Sequence, residues 1–403
     1  MKSSATEITD DDFEKVFKKS FRQQQKIKKT KLPDSSSPLS QDEINKLLAE
    51  EHEKREKQKE STKKMIEEYA KETSPTSGTF KTIQHDLFNF QEEKKDKIDK
   101  KIECEIPKKC QHAIATPCKT LTTISVHKSG DLVACGGSDG VAYIYSISSR
   151  KLVASLLGHH STIPRLSFSD NTVVTVSLDG TLKVWDLNAQ KISCGFSVLP
   201  DLTAEKLAYK NMAICDDKIF AGCVNERIYQ YDQRVPTHVD EYVVSSIPLD
   251  VASCGKGIMC SCEDRVVRYF DYGSGSVTKS VQDPSVETIS CLTDYKGKYV
   301  LGQSMNNSIV SFRGDPFRMM AGRVFRGHYC GAWSCRPSFS SDGQFVVSGD
   351  ANGKIFMWDW KKGKVLKCYT KAHNGTVADV AWNPVIGNQC VSCGWDGKIN
   401  IWN

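Results

Sequence analysis

The chain has 403 residues, with 55 Lys and Arg against 49 Asp and Glu for a formal net charge of +6. That length holds one large domain with appendages or two ordinary domains, and so mild a charge does not by itself mark a nucleic-acid-binding protein. The N-terminus is charged from Lys2 to Asp12 and lacks the apolar run of a secretory signal, and no stretch approaches the roughly 18 apolar residues of a membrane span. A soluble, intracellular protein is therefore expected.

Residues 1–100 carry 22 Lys and Arg and 21 Asp and Glu with few large apolar groups. Such a stretch buries too little surface to offset its ordering entropy, so residues 1–105 read as a charged N-terminal region, disordered or locally helical. Two short helices are expected in it. Thr9 with Asp12 has capping-box spacing, followed by Phe13, Val16, Phe17 and Phe21 on one face. Ser40 with Glu43 repeats the signal before Ile44, Leu47 and Leu48. Neither has a core to join within the segment, so each folds onto a partner groove or packs on the domain that follows. The basic run at 26–31 reads as a nuclear-import patch or a solvated stretch.

From residue 106 onward the chain repeats itself. Seven strings align: SDGVAYIYS, LDGTLKVWD, VNERIYQYD, EDRVVRYFD, MNNSIVSFR, ANGKIFMWD and WDGKINIWN. Each places an aromatic five residues after the third turn residue, at Tyr145, Trp185, Tyr231, Phe270, Phe312, Trp358 and Trp402. Their spacings of 40, 46, 39, 42, 46 and 44 bracket the roughly 40–45-residue period of a WD-repeat blade. Alternating apolar strands flank Asp-Gly or Asn-Gly turns, such as Asp179-Gly180 and Asp396-Gly397, whose second residue tolerates positive φ. The expected fold is all-β: a seven-bladed WD-repeat propeller over 106–403, in which radial packing buries both faces of each small sheet. The chain stops one residue past the last aromatic, so the seventh blade is short of its outermost strand, which residues 108–114 are expected to supply.

The sixteen cysteines fit this scheme better than a disulfide framework. Cys135, Cys223, Cys260, Cys262, Cys390 and Cys393 fall in strand-like segments where a small buried side chain is wanted. Cys390 and Cys393 form a CxxC without two further ligands nearby, so no metal and no cofactor are expected. In the second repeat His159, Ser177, Asp179 and Trp185 compose the side-chain relay of WD-repeat blades. The same residue types also occur in hydrolase triads, but a His locked inside a blade has no room for substrate, and the relay reads as structural.

The last third of the chain carries a family likeness. FRGHYCGAWSC, FVVSGDANGKIFMWDWKKGKV and CVSCGWDGKINIWN, with the doubled aromatic Trp358-Asp359-Trp360-Lys361, resemble the WD-repeat splicing factors of the pre-mRNA-processing factor seventeen, or cell-division-cycle forty, family. Pro107–His112, residues 221–232 and, more weakly, FKTIQHDLFNFQ at 80–91 extend the resemblance. The first repeat departs from the pattern, with Ala115-Thr116-Pro117-Cys118 in place of Gly-His, and repeats three to five lack most of the relay. The resemblance implies a nuclear, non-catalytic scaffold of the spliceosome. It would act at the second step, exon ligation, stabilising the complex remodelled after branching, as a monomeric subunit among spliceosomal proteins and small nuclear ribonucleoproteins. The alternative is a substrate receptor of a cullin ubiquitin ligase, whose marker is a WD-x-R box. Tyr231-Asp232-Gln233-Arg234 approaches that box once.

Candidate contacts follow from charge and aromaticity. Arg313, Arg318, Arg323 and Arg326 fall within fourteen residues beside Gly314, Pro316 and Gly322, read as a rim loop leading into an outer strand. Such a loop holds RNA phosphates or an acidic protein segment, or else faces solvent. Lys361, Lys362, Lys364, Lys367 and Lys371 form a second run, read as a solvated face. Tyr329, Trp333 and Trp395 belong near one mouth of the ring, either as exposed partner anchors or as filling for the channel.

Overall fold

A computed structural model describes residues 78–83, 102–197, 207–215, 217–235, 238–272, 276–331 and 333–403. The chain divides into two units, Met1–Glu68 and Tyr69–Asn403, and the described residues belong to the second. The expected helices carrying Phe13, Val16, Phe17 and Phe21, and Ile44, Leu47 and Leu48, lie outside the described residues, as does the basic run at 26–31.

The alternating strands build seven antiparallel sheets of consecutive hairpins. In chain order their strands lie within 121–157, 165–197, 209–243, 248–281, 289–326, 338–369 and 377–402, here blades 1 to 7. The turn between the second and third strands has one conformation throughout. Its third residue takes positive φ in every blade: Gly140, Gly180, Glu226, Arg265, Asn307, Gly353 and Gly397. Where glycine stands, space demands it as well as φ, since a Cβ at Gly353 would lie 2.1 Å from the carbonyl oxygen of His373.

Second strands such as Leu132–Gly137 and Gly257–Cys262 are buried along their whole length, as strands covered on both faces must be. The apolar side chains separate into seven clusters, one for each junction between neighbouring blades. Val174, Val184 and Phe196 of blade 2 meet Tyr209, Met212 and Ile219 of blade 3, for example. Blade 7 meets blade 1 the same way, through Val391, Ile399 and Ile401 against Ile124, Val133 and Tyr143. The six cysteines singled out above are buried in these sheets, and all sixteen in the chain are free thiols.

The ring closes through a strand from its beginning. Cys110–Ala115 runs antiparallel to Lys398–Trp402, pairing His112 with Ile401, Ala113 with Asn400 and Ile114 with Ile399. The amides of Lys108 and Lys109 also donate to the carbonyl of Asn403, at 2.8 and 3.1 Å. Ile114 enters the cluster between blades 7 and 1. Blade 1 differs from expectation in having five strands. Thr79–Thr82, from the segment read as N-terminal region, pairs antiparallel with Leu152–Leu157. Phe80 packs against the cluster between blades 1 and 2. Gly78 makes the approach possible, because a Cβ there would meet Ile192 at 2.7 Å and Trp185 at 3.0 Å. A free sheet edge and an apolar cleft thus capture a short strand whose own periodicity is too brief to announce it.

Removing the closing strand should open the ring. A chain beginning at Thr116 is expected to melt at lower temperature and to associate with rising concentration, since the edge of Lys398–Trp402 is then bare. Thermal unfolding with light scattering checks this. An unchanged melting temperature and a monomer would contradict it.

Candidate functional site

The relay of blade 2 forms, but through a different hydroxyl. Trp185 Nε1 donates to Thr175 Oγ1 at 2.9 Å, and Thr175 Oγ1 lies 2.7 Å from His159 Nε2. His159 Nδ1 then faces Thr181 Oγ1 at 2.9 Å and Asp179 Oδ2 at 3.3 Å. Ser177, read as the hydroxyl member, is not in this chain. Its Oγ donates to the carbonyl of Ser161 at 3.1 Å and accepts from the amide of Asp179 at 3.2 Å. Thr175 lies within the strand Thr172–Val176, opposite Lys183 in the register, and turns its hydroxyl toward the indole and the imidazole, whereas Ser177 lies past the strand's end and caps the turn.

A second relay, unnoticed in the sequence, occupies blade 7. Trp402 Nε1 donates to Ser392 Oγ at 3.0 Å, Ser392 Oγ lies 2.8 Å from His373 Nε2, and His373 Nδ1 lies 2.9 Å from Asp396 Oδ1. In both relays the hydroxyl stands ten residues before the tryptophan, which is the spacing that would have found it. The signal was hidden because Ala372-His373 stands where Gly-His was sought. Blade 6 has Gly327-His328 but carries Asn352 at the position of the relay carboxylate. There the relay breaks: Trp358 Nε1 donates to the carbonyl of Arg326 at 2.9 Å and His328 Nε2 turns to Gln303 Oε1 at 2.8 Å.

These relays are sealed. The side chains of His159 and Asp179 are 1% and 3% exposed. Burial holds His159 below the ordinary imidazole range and therefore neutral, with Nδ1–H donating and Nε2 accepting. Burial raises Asp396, but the hydrogen bonds from His373 and from the amides of Asn374 and Lys398 outweigh it and hold the carboxyl at about 2. The channel is crossed by a second polar system. Arg336 Nη1 meets Asp250 Oδ2 at 2.8 Å and the carbonyl of Leu292, while Arg165 Nη1 meets Asp379 Oδ2 at 3.1 Å. Asp379 also accepts from the amide of Ile124 at 3.1 Å, and Asp250 from the amide of Leu292 at 2.6 Å. The two ion pairs thereby tie blades 2, 4, 5, 6, 7 and 1 at the axis. Sequence reasoning missed them, because their members lie far apart in the chain.

The exposed candidates fall into two places. Trp333 and Trp395 meet edge to face with centroids 4.8 Å apart, yet remain 50% and 38% exposed. With Leu178, Leu249 and Met305 they rim a cavity of about 350 Å³ over Arg336, at the end of the channel where the second-to-third-strand turns gather. Tyr329 stands apart from this rim. It is half exposed beside the blade 6 turn, where its carbonyl accepts from the amide of Ala351 at 2.7 Å. The arginines do not lie on a rim loop. Gly314–Phe317 is a tight turn and Arg318–Arg326 is itself the outermost strand of blade 5. Arg313 and Arg318 pair directly across the hairpin. A bulge between Met319 and Val324 carries Arg323 outward, so that its guanidinium lies 4.7 Å from the ring of Trp360 in blade 6. Cys390 and Cys393 are buried in the second strand of blade 7, and no cluster of three metal-ligating side chains occurs among the described residues.

Two measurements follow from the relays. Thr175→Val keeps the shape but leaves the Trp185 N–H and His159 Nε2 buried without partners, so unfolding in denaturant should show a loss of about 1–3 kcal/mol. The second concerns pH. Burial holds His127, His159 and His328 below the ordinary 6.5, with His328 at about 4. The unfolded chain takes up these protons more readily than the folded chain as pH falls through 6.5, so the contribution of these histidines to stability declines on acidification. For His328 the decline between pH 7 and pH 5 is about 2 kcal/mol. A pH series of denaturant curves should therefore be flatter by that amount in His328→Asn than in the parent.

Comparison with known proteins adds identity to this geometry. The WD domain, G-beta repeat model matches residues 108–146, 150–186, 321–359 and 363–403. The stretch 187–320, which it passes over, holds Tyr231, Phe270 and Phe312 in place of tryptophan and non-glycine residues at the positive-φ turn. Pre-mRNA-processing factor 17 of Homo sapiens is 26% identical over 315 residues, covering 74% of this chain and 53% of that protein. The protein of the same name from Saccharomyces cerevisiae is 24% identical over 310 residues, covering 74% and 67%. Denticleless protein homolog of Gallus gallus is 23% identical over 289 residues, covering 67% and 38%. The chain thus spans about half the length of the human relative it matches. In its fold and its repeats alike, the chain is a seven-bladed WD-repeat propeller similar to Pre-mRNA-processing factor 17.

Proposed function

We propose that the protein is a non-catalytic scaffold of the spliceosome in the nucleus, acting at the second step of pre-mRNA splicing. In this reading it stabilises the complex remodelled after branching so that exon ligation follows, as a monomeric subunit among spliceosomal proteins and small nuclear ribonucleoproteins. The observation that carries the reading is the similarity, over 74% of the chain, to proteins named for pre-mRNA processing. The geometry is compatible with a platform: its imidazole–carboxylate pairs are sealed in blades, and its exposed surface includes aromatic and basic groups. Trp333 and Trp395 at the channel mouth serve as anchors for a protein neighbour, because half-exposed aromatics around a cavity bury much area at little entropic cost. Tyr329, apart from the rim beside the blade 6 turn, is a separate contact.

The cullin-receptor reading rests on Tyr231-Asp232-Gln233-Arg234. Arg234 is exposed on the turn after the third strand of blade 3, and its guanidinium folds back on Asp232 through two hydrogen bonds of 2.9 and 2.6 Å. A self-paired arginine must break those bonds before it can serve an adaptor. Affinity capture of the full chain decides between the readings. Spliceosomal proteins with small nuclear RNAs are expected, unchanged in Arg234→Glu. Capture of a cullin adaptor without them, lost in Arg234→Glu, would overturn the splicing reading.

A further inference from the structure

The two basic runs, separate in the sequence, meet on one seam of the propeller. The bulge in Arg318–Arg326 lays Arg323 over Trp360, and Trp360 is followed at once by Lys361 and Lys362. Gly327 stands where a Cβ would lie 3.5 Å from Val365, and Gly363 where one would lie 3.8 Å from the carbonyl of Val324. The outer edge of blade 5 therefore abuts the lysine turn and the outermost strand of blade 6, Val365–Tyr369. Arg318, Arg326, Lys361, Lys362, Lys364 and Lys367 are all exposed along this seam.

The charges are not spent within the fold. Among the described residues no carboxylate pairs with any arginine or lysine of the band. Asp359, the acidic residue nearest the lysine turn in sequence, instead accepts from the amide of Lys362 at 2.7 Å. Arg313 faces Arg318 directly across the hairpin, an arrangement that costs stability unless an anion lies between or over the pair. We infer that the seam between blades 5 and 6 is a track for the phosphate backbone of a single RNA strand, read without regard to base sequence.

The composition of the seam favours phosphate over an acidic protein. Protein interfaces are anchored by buried aromatics and depleted in lysine at their centre. Here Phe325, Trp360 and Tyr369 are already buried within the blades, leaving no exposed aromatic between the cations of the two strands. Val365 and Leu366 expose aliphatic surface only. Without free rings for base stacking, contacts made by such a band are electrostatic and report no sequence. The choice of RNA as the polyanion rests on the splicing reading; the presence of a polyanion track does not.

The test uses the full chain and a labelled oligouridylate, titrated by fluorescence anisotropy at several salt concentrations. The variant replaces Arg318, Arg326, Lys362 and Lys364 by Ala, all exposed and unpaired, so its melting temperature should match the parent. Each single-strand phosphate contact contributes about 0.7 to the slope of log affinity against log salt, so the variant's slope should be shallower by roughly 3 and its affinity lower by at least about tenfold. An oligocytidylate should bind equally well. Equal affinity and slope in parent and variant would overturn the inference, as would tighter binding of a polyglutamate peptide than of RNA. If the fourfold variant fails to fold, Lys362→Glu with Lys364→Glu, confined to the turn and the residue after it, must lower affinity and slope in the same sense. Affinity capture of the parent separates the two claims. Capture of spliceosomal particles with unaltered oligouridylate binding in the variant sinks the track alone, whereas capture of a cullin adaptor sinks the splicing reading and leaves the titration to decide the track.

Discussion

The pairing of Cys110–Ala115 with Lys398–Trp402 brings together residues such as Gln111 and Asn403, which lie 292 positions apart and are joined at their side chains by a hydrogen bond of 2.6 Å. Apart from the added strand Thr79–Thr82 in blade 1, every other blade is made of strands that follow one another along the chain, so its hydrogen bonds are local and quickly made. The last blade cannot be completed until six others have set the curvature that brings its missing strand within reach. With the strand in place, no blade lacks two neighbours, and each apolar cluster is covered from both sides. Without it, the cluster between blades 7 and 1 loses Ile114 and a row of backbone groups is left open to other chains.

Around that constraint, polar and apolar solutions to the same packing problem alternate. Blades 2 and 7 bury a tryptophan and satisfy its N–H through hydroxyl, imidazole and carboxylate. Blade 3 sets Tyr209 against Tyr231, hydroxyl to hydroxyl, and blades 4 and 5 use Phe270 and Phe312, which ask for no partner at all. The degenerate repeats are therefore complete structurally: blade 3 keeps a single hydroxyl pair, and blades 4 and 5 have exchanged the directional network for ring packing. At the axis, the pairs Arg336–Asp250 and Arg165–Asp379 hold the innermost strands where the channel would otherwise leave four charges in a confined space. Such pairs specify geometry more than they add stability, because desolvation offsets much of their attraction.

What remains for function is the surface that this packing does not consume. Trp333 and Trp395 lie on loops from different blades and contact each other only because the ring gathers those loops at one mouth. The cations of blades 5 and 6 share a seam for the analogous reason, with Arg323 acting as the joint between them. The fold thus places an aromatic rim and a basic band on separate parts of the propeller.

Much of this was legible in the sequence, for a definite reason. A period near forty with a turn residue forced to positive φ and an aromatic five residues later is a local pattern, and local pattern alone yields blade count, fold class and the shortage of one strand at the end. His159, Asp179 and Trp185 were legible as relay members because their spacing lies within one repeat. The hydroxyl partner was not, since Thr175 and Ser177 both offer a hydroxyl two residues apart, and what separates them is that the strand ends at Val176 and leaves Ser177 to the turn. The relay through His373 was equally local and was hidden only by Ala372 in place of glycine, but the fifth strand of blade 1, the ion pairs of the channel, and the meeting of the arginines with the lysines were decided by tertiary structure. Each depends on which edges and faces come to lie together once the ring has closed. Long-range closure, unlike turn chemistry, leaves no mark at any fixed spacing along the chain.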